Sequence, residues 1–407
     1  MQPERINLQR ATIQVVLVSA FLAFVTFGIR LSFSVFFAEF VTVEGWSNEE
    51  AATIFSVSML VFAVGSPIAG ALLDRFGARI IFTGGAILMA IGLFLSSQAQ
   101  TIDQLLLTYG IIAGSGVAVV GLGPIAANIS AWIPPAQRGR AIGIAFAGTG
   151  LGSLLFVPAS NWLITNFGWR DAYLVLAGVC LLILAPMLAI FLRKAPQETR
   201  KVKTDSRGGN LLELFKNPIF LLLMLVSLTA LGPLRSLTVH QIAYIESIGI
   251  ERDTAAAYVG LAGFLTAGTF IGWGYISDKF GRWVAFTAGA LCLIGAVGVL
   301  FVLAETLIVE LLILYSILYA LAEGTRSSQT TALASDIFQR NGLGLVNGLV
   351  GGAFGAGAAF APWLVGRLKD TTGSYQPGFI VVIVLVVISI GAFLAITGLQ
   401  RRKRTGD

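Results

Sequence analysis

Charged residues are scarce in this sequence. Only 12% of its 407 residues are Asp, Glu, Lys or Arg, whereas 56% are hydrophobic. Soluble globular domains carry about 25% charged residues, because water is the solvent of most of their surface. The composition therefore excludes an ordinary soluble domain and favours a membrane protein with many spans. The 47 glycines agree with this interpretation, because small residues let membrane helices approach closely.

Several chemical signatures are also missing. The two cysteines, Cys180 and Cys292, lie in apolar runs, so there is no disulfide framework. No phosphate-binding loop, metal-spaced Cys/His cluster or G-x-S-x-G elbow occurs. The first residues lack the features of a cleaved secretory signal, and we expect the first helix to be retained. The sequence thus predicts a protein that is not an enzyme and needs no metal or cofactor.

Apolar segments of about 20 residues, the length that crosses a bilayer, recur along the chain. They predict an all-α membrane protein with twelve transmembrane helices. The predicted spans lie near 12–38, 50–73, 79–98, 103–131, 140–165, 171–193, 218–245, 254–277, 283–303, 306–334, 343–366 and 377–399.

Basic residues predict the orientation of these spans, because cytoplasmic loops collect Lys and Arg. With both termini inside, the external loops contain only Arg170, Arg252, Arg367 and Lys369 of the 27 basic residues. We therefore expect a multi-pass protein of the cytoplasmic (inner) membrane with both termini in the cytoplasm. The same bias accounts for the net charge of +6, so we expect no nucleic-acid partner.

The two halves of the chain resemble each other at a constant offset of 204 residues. The matching pairs are Asp74 and Asp278, Pro158 and Pro362, and Gly28 and Gly232. Duplicated halves are typical of transporters. The sequence predicts two pseudo-symmetric six-helix halves, 1–193 and 217–407, joined by a hydrophilic cytoplasmic linker over 194–216.

Two loop motifs, "GALLDRFGAR" (70–79) and "GYISDKFGR" (274–282), make the chain resemble the major facilitator superfamily along essentially its full length. The first copy has one additional residue, Ala78. The stretches "GIRLSFSVFFAEF", "GWSNEEAA" and "VHQIAYIESIGI" resemble the monocarboxylate porter and oxalate–formate antiporter branch. Where those relatives often have an arginine in the eighth span, this chain has Phe270.

The resemblance implies a monomeric carrier that works by alternating access, with spans 1, 4, 7 and 10 around a central cavity. It also implies that the loop motifs hold the cytoplasmic ends of the halves together when the cavity opens outward. The residues expected in this gating role are Asp74, Arg75, Arg79, Asp278, Lys279 and Arg282. The alternative is a pair of turns whose charges set the topology.

Four charges lie clearly within the membrane, away from the ends of the predicted spans: Arg30, Arg235, Glu323 and Arg326. Translocon scales put a charge at mid-membrane at about 2.5–3.5 kcal/mol, so such residues persist mainly where they face a wet cavity. Arg30 plus the repeat offset falls next to Arg235, so spans 1 and 7 carry nearly equivalent cations. Guanidinium groups from opposite halves can clamp a carboxylate through forked hydrogen bonds.

Polar residues at helical spacing extend this site. Along span 10 they form one face that includes Tyr315, Tyr319, Glu323 and Arg326, and Ser34 shares a face with Arg30. The predicted substrate-binding residues are Arg30, Arg235, Arg326, Tyr315, Tyr319, Ser34 and Asn128. Glu323, the only acid deep in a span, and His240, the sole histidine, are the candidates for carrying a proton.

Structural roles are open for each of these residues. Glu323 and Arg326, three apart on one helix, can neutralise each other. Arg30 or Arg235 can extend toward the outer interface. His240 can be a hydrogen-bonded packing residue, and Tyr315 and Tyr319 can pack between helices.

The sequence as a whole predicts a secondary transporter of a small organic anion, such as a monocarboxylate, by proton symport or anion exchange. One alternative is a proton-driven efflux antiporter for hydrophobic or cationic compounds, which would place acids in excess of bases at the cavity. The other is a transporter-like sensor, for which we would expect an added signalling domain or a long tail, and we expect neither here.

Overall fold

The chain folds into helices throughout its described residues. The computed structural model describes residues 3–133, 135–192, 211–338 and 343–405. Spans 2, 3 and 5 are the single helices Asn48–Phe76, Ala78–Ser97 and Pro135–Phe167. Span 1 consists of two pieces, Pro3–Leu31 and Phe33–Thr42. Span 4 consists of Ile102–Leu105, Leu106–Ala113, Gly114–Val119 and Leu122–Ser130, and span 6 of Trp169–Gly178, Val179–Leu184 and Ala185–Phe191. Spans 7 to 12 are Pro218–Ser247, Arg252–Phe280, Arg282–Thr306, Leu311–Ile337, Leu343–Thr372 and Gln376–Thr405.

These helices confirm the predicted all-α fold with twelve spans. Over the described residues, ten of them are long and apolar enough to cross a membrane. The other two, spans 8 and 10, are 29 and 27 residues long. The predicted linker begins outside the described residues, which resume with a short helix, Leu211–Lys216.

Local sequence signals explain where several spans begin. Ser47 and Glu50 form a reciprocal capping box at the start of span 2, which satisfies backbone N–H groups that have no helical partner. Asn217 caps span 7, with Pro218 in the first turn, where a missing N–H costs nothing.

The turns repeat between the two halves. Glycines with positive φ angles pair at the repeat offset or within one residue of it: Gly45 with Gly249, Gly77 with Gly281, and Gly168 with Gly373. Residues with a Cβ rarely adopt this conformation. The loop motifs therefore need their glycines for the turn itself, at φ +84° and +96°.

The halves also repeat one close helix contact. A Cβ at Gly28 would lie 2.9 Å from the Gly152 carbonyl oxygen, and a Cβ at Gly232 would lie 2.7 Å from that of Gly357. Span 1 thus packs directly on span 5, and span 7 on span 11. The same glycine pair, Gly28 and Gly232, is one of the signs of the duplication in the sequence.

Spans 2 and 11, and spans 5 and 8, join the two halves. We call the side with the turns at Gly77 and Gly281 the near side, and the side with the turns at Gly45 and Gly249 the far side. On the far side, Arg252 of span 8 bonds to Glu39 and Thr42 of span 1. There the halves are held together by polar contacts.

Two further contacts close the far side. The Asp370 carboxylate of span 11 accepts hydrogen bonds from the backbone N–H groups of Asn48 (3.0 Å) and Glu49 (2.7 Å) at the start of span 2. Asn161 of span 5 donates to Asp253 of span 8. All three contacts join one half to the other.

Further toward the middle of the bundle, spans 5 and 8 touch where a Cβ at Gly150 would lie 2.7 Å from the Gly263 carbonyl oxygen. The charged contacts between the halves described above lie on the far side.

The loop motifs lie on the near side. Arg75, Arg79 and Lys279 are exposed and Arg282 is half-buried. The side chains of Asp74 and Asp278 fall outside the described residues, as does that of Phe270. The gating role of the motifs stays a prediction.

Candidate functional site

The first span is interrupted next to its arginine. The helix ends at Leu31 and restarts at Phe33. At this break, the backbone N–H and the hydroxyl of Ser32 both donate to the Gly28 carbonyl oxygen, at 3.1 and 2.9 Å. Ser34, predicted to share the site with Arg30, is fully buried and donates to the Leu31 carbonyl oxygen at 3.1 Å.

Arg30 lies in apolar and aromatic surroundings. Its Nη2 is 2.8 Å from Met59 Sδ, and its guanidinium carbon lies 4.8 Å from the centre of the Phe62 ring and 5.6 Å from that of Phe27. Within the described parts of the chain, no carboxylate lies within salt-bridge distance of it. Arg30 therefore packs among side chains of spans 1 and 2, and its charge has no counter-ion among the described residues.

Arg235, the equivalent cation of the second half, has a counter-ion. It forms an ion pair with Glu323 of span 10, and the two side chains are only 12% and 18% exposed. Arg235 Nη1 also donates to the Thr238 hydroxyl at 3.4 Å. The Thr238 hydroxyl is in turn hydrogen-bonded to the Tyr319 hydroxyl at 2.6 Å. Span 10 therefore contributes both the acid and a tyrosine to this pair.

The ion pair uses only part of each group. Arg235 Nε and Glu323 Oε2 are buried and have no hydrogen-bond partner among the described residues. Buried polar atoms are normally satisfied, so these two can accept further partners. The pair thus retains an unused guanidinium nitrogen that can donate to an anion and a carboxylate oxygen that can take a proton.

The cations of the two halves converge on this pair. Arg30 interacts electrostatically with Arg235 and Glu323. Two guanidinium groups and one carboxylate leave one net positive charge between the halves. A single monovalent anion would neutralise the cluster while Glu323 stays ionised.

Arg326 lies elsewhere. It is fully buried inside the second half, where its Nε donates to the Ala230 carbonyl oxygen of span 7 (2.6 Å) and its Nη2 to the Ser389 hydroxyl of span 12 (2.8 Å). Its guanidinium carbon is 5.3 Å from the centre of the Phe286 ring of span 9. Glu323 thus forms its ion pair with Arg235 rather than with Arg326, although Arg326 also interacts electrostatically with Glu323. A role of Arg326 in substrate binding stays a prediction.

We expect Arg326→Met to change the KM for a transported substrate by no more than about twofold. The hydrogen bonds of Arg326 lie inside the second half, and sites that share no hydrogen-bond partner usually couple by no more than about 0.3–0.5 kcal/mol. The measurement is concentration-dependent uptake by purified protein in liposomes. A KM raised tenfold or more would show that Arg326 contacts substrate after all.

His240 and Tyr315 occupy packing positions in this state. His240 is fully buried, with Nε2 2.9 Å from the Pro362 carbonyl oxygen and its ring 4.6 Å from that of Phe37. The Tyr315 hydroxyl donates to Gln241 Oε1 at 2.6 Å. His240 thus belongs to the contact between the halves rather than to the Arg235–Glu323 pair.

Asn128 of span 4 is buried, and its Nδ2 has no hydrogen-bond partner among the described residues. Span 4 is irregular, with a π-helical stretch at Leu106–Ala113 and a break before Leu122. The neighbours of Arg30 on spans 2 and 4, Met59, Phe62 and Tyr109, were missed from the sequence. An apolar or aromatic residue in a membrane span carries no signal that separates a site from ordinary packing.

Comparisons with known proteins agree with this fold. A profile described as Major Facilitator Superfamily matches residues 16–325. Monocarboxylate transporter 13 of Bos taurus is 29% identical over 94% of this chain and 88% of its own length. Monocarboxylate transporter 11 of Mus musculus is 28% identical over 82% and 76%. The crystal structure of the nucleoside transporter NupG superposes with a TM-score of 0.75 at 15% identity, covering 95% of this chain and 99% of that one.

Proposed function

The chain belongs to the Major Facilitator Superfamily and is a transporter, and from that premise we propose that it carries a small monocarboxylate by alternating access. The observation that carries the proposal is the cluster of Arg30, Arg235 and Glu323. It joins both halves, lies within the spans and has one net positive charge. The names of the similar monocarboxylate transporters support the same substrate class.

We infer that Arg30 provides the first contact for the carboxylate, because it has no counter-ion among the described residues. Arg235 becomes available when Glu323 releases it, and a forked guanidinium then binds the substrate carboxylate in its place. Glu323, no longer paired, takes up a proton rather than remaining a buried lone charge. This order of events favours proton symport over anion exchange.

The remaining assignments accompany this proposal. The halves 1–193 and 217–407, joined by the linker 194–216, rock about the cluster, and the carrier acts as a monomer. The near side faces the cytoplasm of a cell with the protein in its cytoplasmic membrane. The far-side contacts of Arg252, Asp370 and Asn161 are then the external closure.

The test is uptake of radiolabelled monocarboxylates and dicarboxylates by the purified protein in liposomes, with and without an inwardly directed proton gradient. We expect a monocarboxylate to accumulate with the gradient and dicarboxylates to be poor substrates. If no carboxylate is moved, and hydrophobic cations are expelled instead, efflux replaces this function.

In Glu323→Gln we expect exchange of internal for external substrate to persist while the proton gradient no longer drives accumulation. Glutamine keeps the shape and hydrogen bonding of a protonated glutamate but cannot release a proton. Glu305→Gln, the same change at an exposed position near the end of span 9, serves as the control and should keep gradient-driven uptake. Accumulation by Glu323→Gln equal to that of the wild type would assign the proton to another group.

A further inference from the structure

A small cavity lies beside Arg30, inside the first half. It is lined by Arg30, Met59, Met89, Leu93, Tyr109 and Val117, with small residues completing the wall. Its free volume is about 10 Å³, room for one water molecule at most. Apart from the arginine and the tyrosine, the named lining is aliphatic or thioether.

Arg30 connects this cavity to the charged cluster. Its guanidinium contacts Met59 on the cavity wall and interacts electrostatically with Arg235 and Glu323 between the halves. A carboxylate bound to Arg30 therefore has a charged side toward the cluster and an apolar side toward the cavity. The equivalent cation, Arg235, is instead occupied by Glu323, Thr238 and, through it, Tyr319.

The cavity wall is able to yield. Methionine has three rotatable bonds and a polarisable thioether, which let it refill an irregular space. Two of the five methionines of the chain, Met59 and Met89, are in this wall. The π-helical stretch Leu106–Ala113, which contains Tyr109, forms another part of it, and such stretches frequently occur at functional sites.

We propose that this cavity, which we call the tail pocket, receives the apolar end of the transported acid and that Met59 and Met89 limit its length. The proposal rests on the proposed monocarboxylate function. Because the free volume is only about that of one water molecule, even a short tail such as that of acetate, propionate or lactate enters by shifting one methionine side chain. Longer chains are rejected because they must displace both methionine side chains.

The experiment measures kcat/KM for uptake of acetate, propionate, butyrate and hexanoate by proteoliposomes. In Met89→Ala, we expect the ratio of butyrate to acetate to rise by at least about tenfold, because each methylene newly accommodated is worth about fourfold in binding. In Val117→Leu, which narrows the pocket, the ratio should fall below that of the wild type.

Two controls separate pocket size from general damage. Met89→Leu keeps the side-chain volume and should keep the wild-type ratio. Met187→Ala removes the same atoms from another methionine of the first half, which lines a separate groove beside span 1, and should also leave the ratio unchanged. Acetate uptake itself reports that each variant is folded.

The outcomes distinguish the two proposals. If the wild type takes up acids but Met89→Ala and Met187→Ala give the same ratio as the wild type, the tail pocket is wrong and the transport function stands. A ratio raised equally in both methionine variants would also overturn it. If the wild type takes up no acid, the function fails and the tail pocket with it.

Discussion

Replacing Arg235 by glutamine is expected to abolish uptake and to destabilise the protein at the same time. The substitution removes the counter-ion of Glu323, whose side chain is only 18% exposed. Breaking a buried ion pair from one side typically costs about 3–5 kcal/mol, because it leaves an uncompensated charge. We therefore expect a clear loss of thermal stability in detergent, measured by the temperature at which the monodisperse protein is lost.

The double variant Arg235→Gln, Glu323→Gln separates the two effects. With both charges removed, two amides can bond in place of the ion pair, so we expect most of the thermal stability to return. Transport should stay absent, because the donor for the substrate carboxylate is still missing. A double variant as unstable as the single one would mean that Glu323 is not the partner whose charge matters.

Replacing Arg30 by glutamine is expected to weaken uptake strongly without destabilising the protein. Arg30 has no carboxylate partner among the described residues, so its removal leaves no buried charge behind, and thermal stability should stay the same or rise. Loss of one partner of a buried charge pair typically costs binding about 2–5 kcal/mol. At 1.4 kcal/mol per tenfold, we expect the KM for the acid to rise by at least about 30-fold.

A surface arginine provides the matched control for Arg30. Arg367 lies on the far side, 55% exposed, with a loose ion pair of 3.9 Å to Glu49. Exposed pairs of this kind contribute at most about 1 kcal/mol to stability, and Arg367→Gln should transport as the wild type does. Normal KM in Arg30→Gln would place Arg30 among the residues tolerated beside the cavity, and the anion site would have to be sought elsewhere.

Together the two arginine variants test why equivalent positions in the repeats differ. Both should lose transport, but only Arg235→Gln should lose stability. The difference in stability follows from the fact that Arg235 has a counter-ion. If the two arginines only bound substrate, both variants would lose transport without differing in stability. Equal stability losses in the two variants would contradict the pairing of Arg235 with Glu323.

The helices, their number and their duplication were predictable from the sequence. Each depends on local properties: apolar length sets a span, and positive φ angles require glycine. Gly77 and Gly281, or Gly28 and Gly232, are therefore recognisable as pairs from their spacing in the chain alone. The intramembrane charges were recognisable for a similar reason, since Arg30, Arg235 and Glu323 are costly in an apolar solvent.

The partners of those charges were not predictable. Glu323 and Arg326 are three residues apart, a spacing that favours a pair on one helix, yet Glu323 faces Arg235 on another span. Arg326 instead bonds to Ala230 and Ser389, which are 96 and 63 residues away in the chain. Helical spacing describes which residues share a face, but not which neighbouring helix that face meets.

By itself, then, the sequence determined the membrane environment, the twelve spans, the twofold repeat and the presence of excess positive charge among the spans. Only the tertiary structure decided that Arg30 lies beside an apolar cavity without a counter-ion among the described residues, that Arg235 is paired, and that Arg326 is buried away from both. The physical reason is that solvent preference and backbone conformation act residue by residue, whereas charge pairing and cavity shape depend on side chains that only packing brings together.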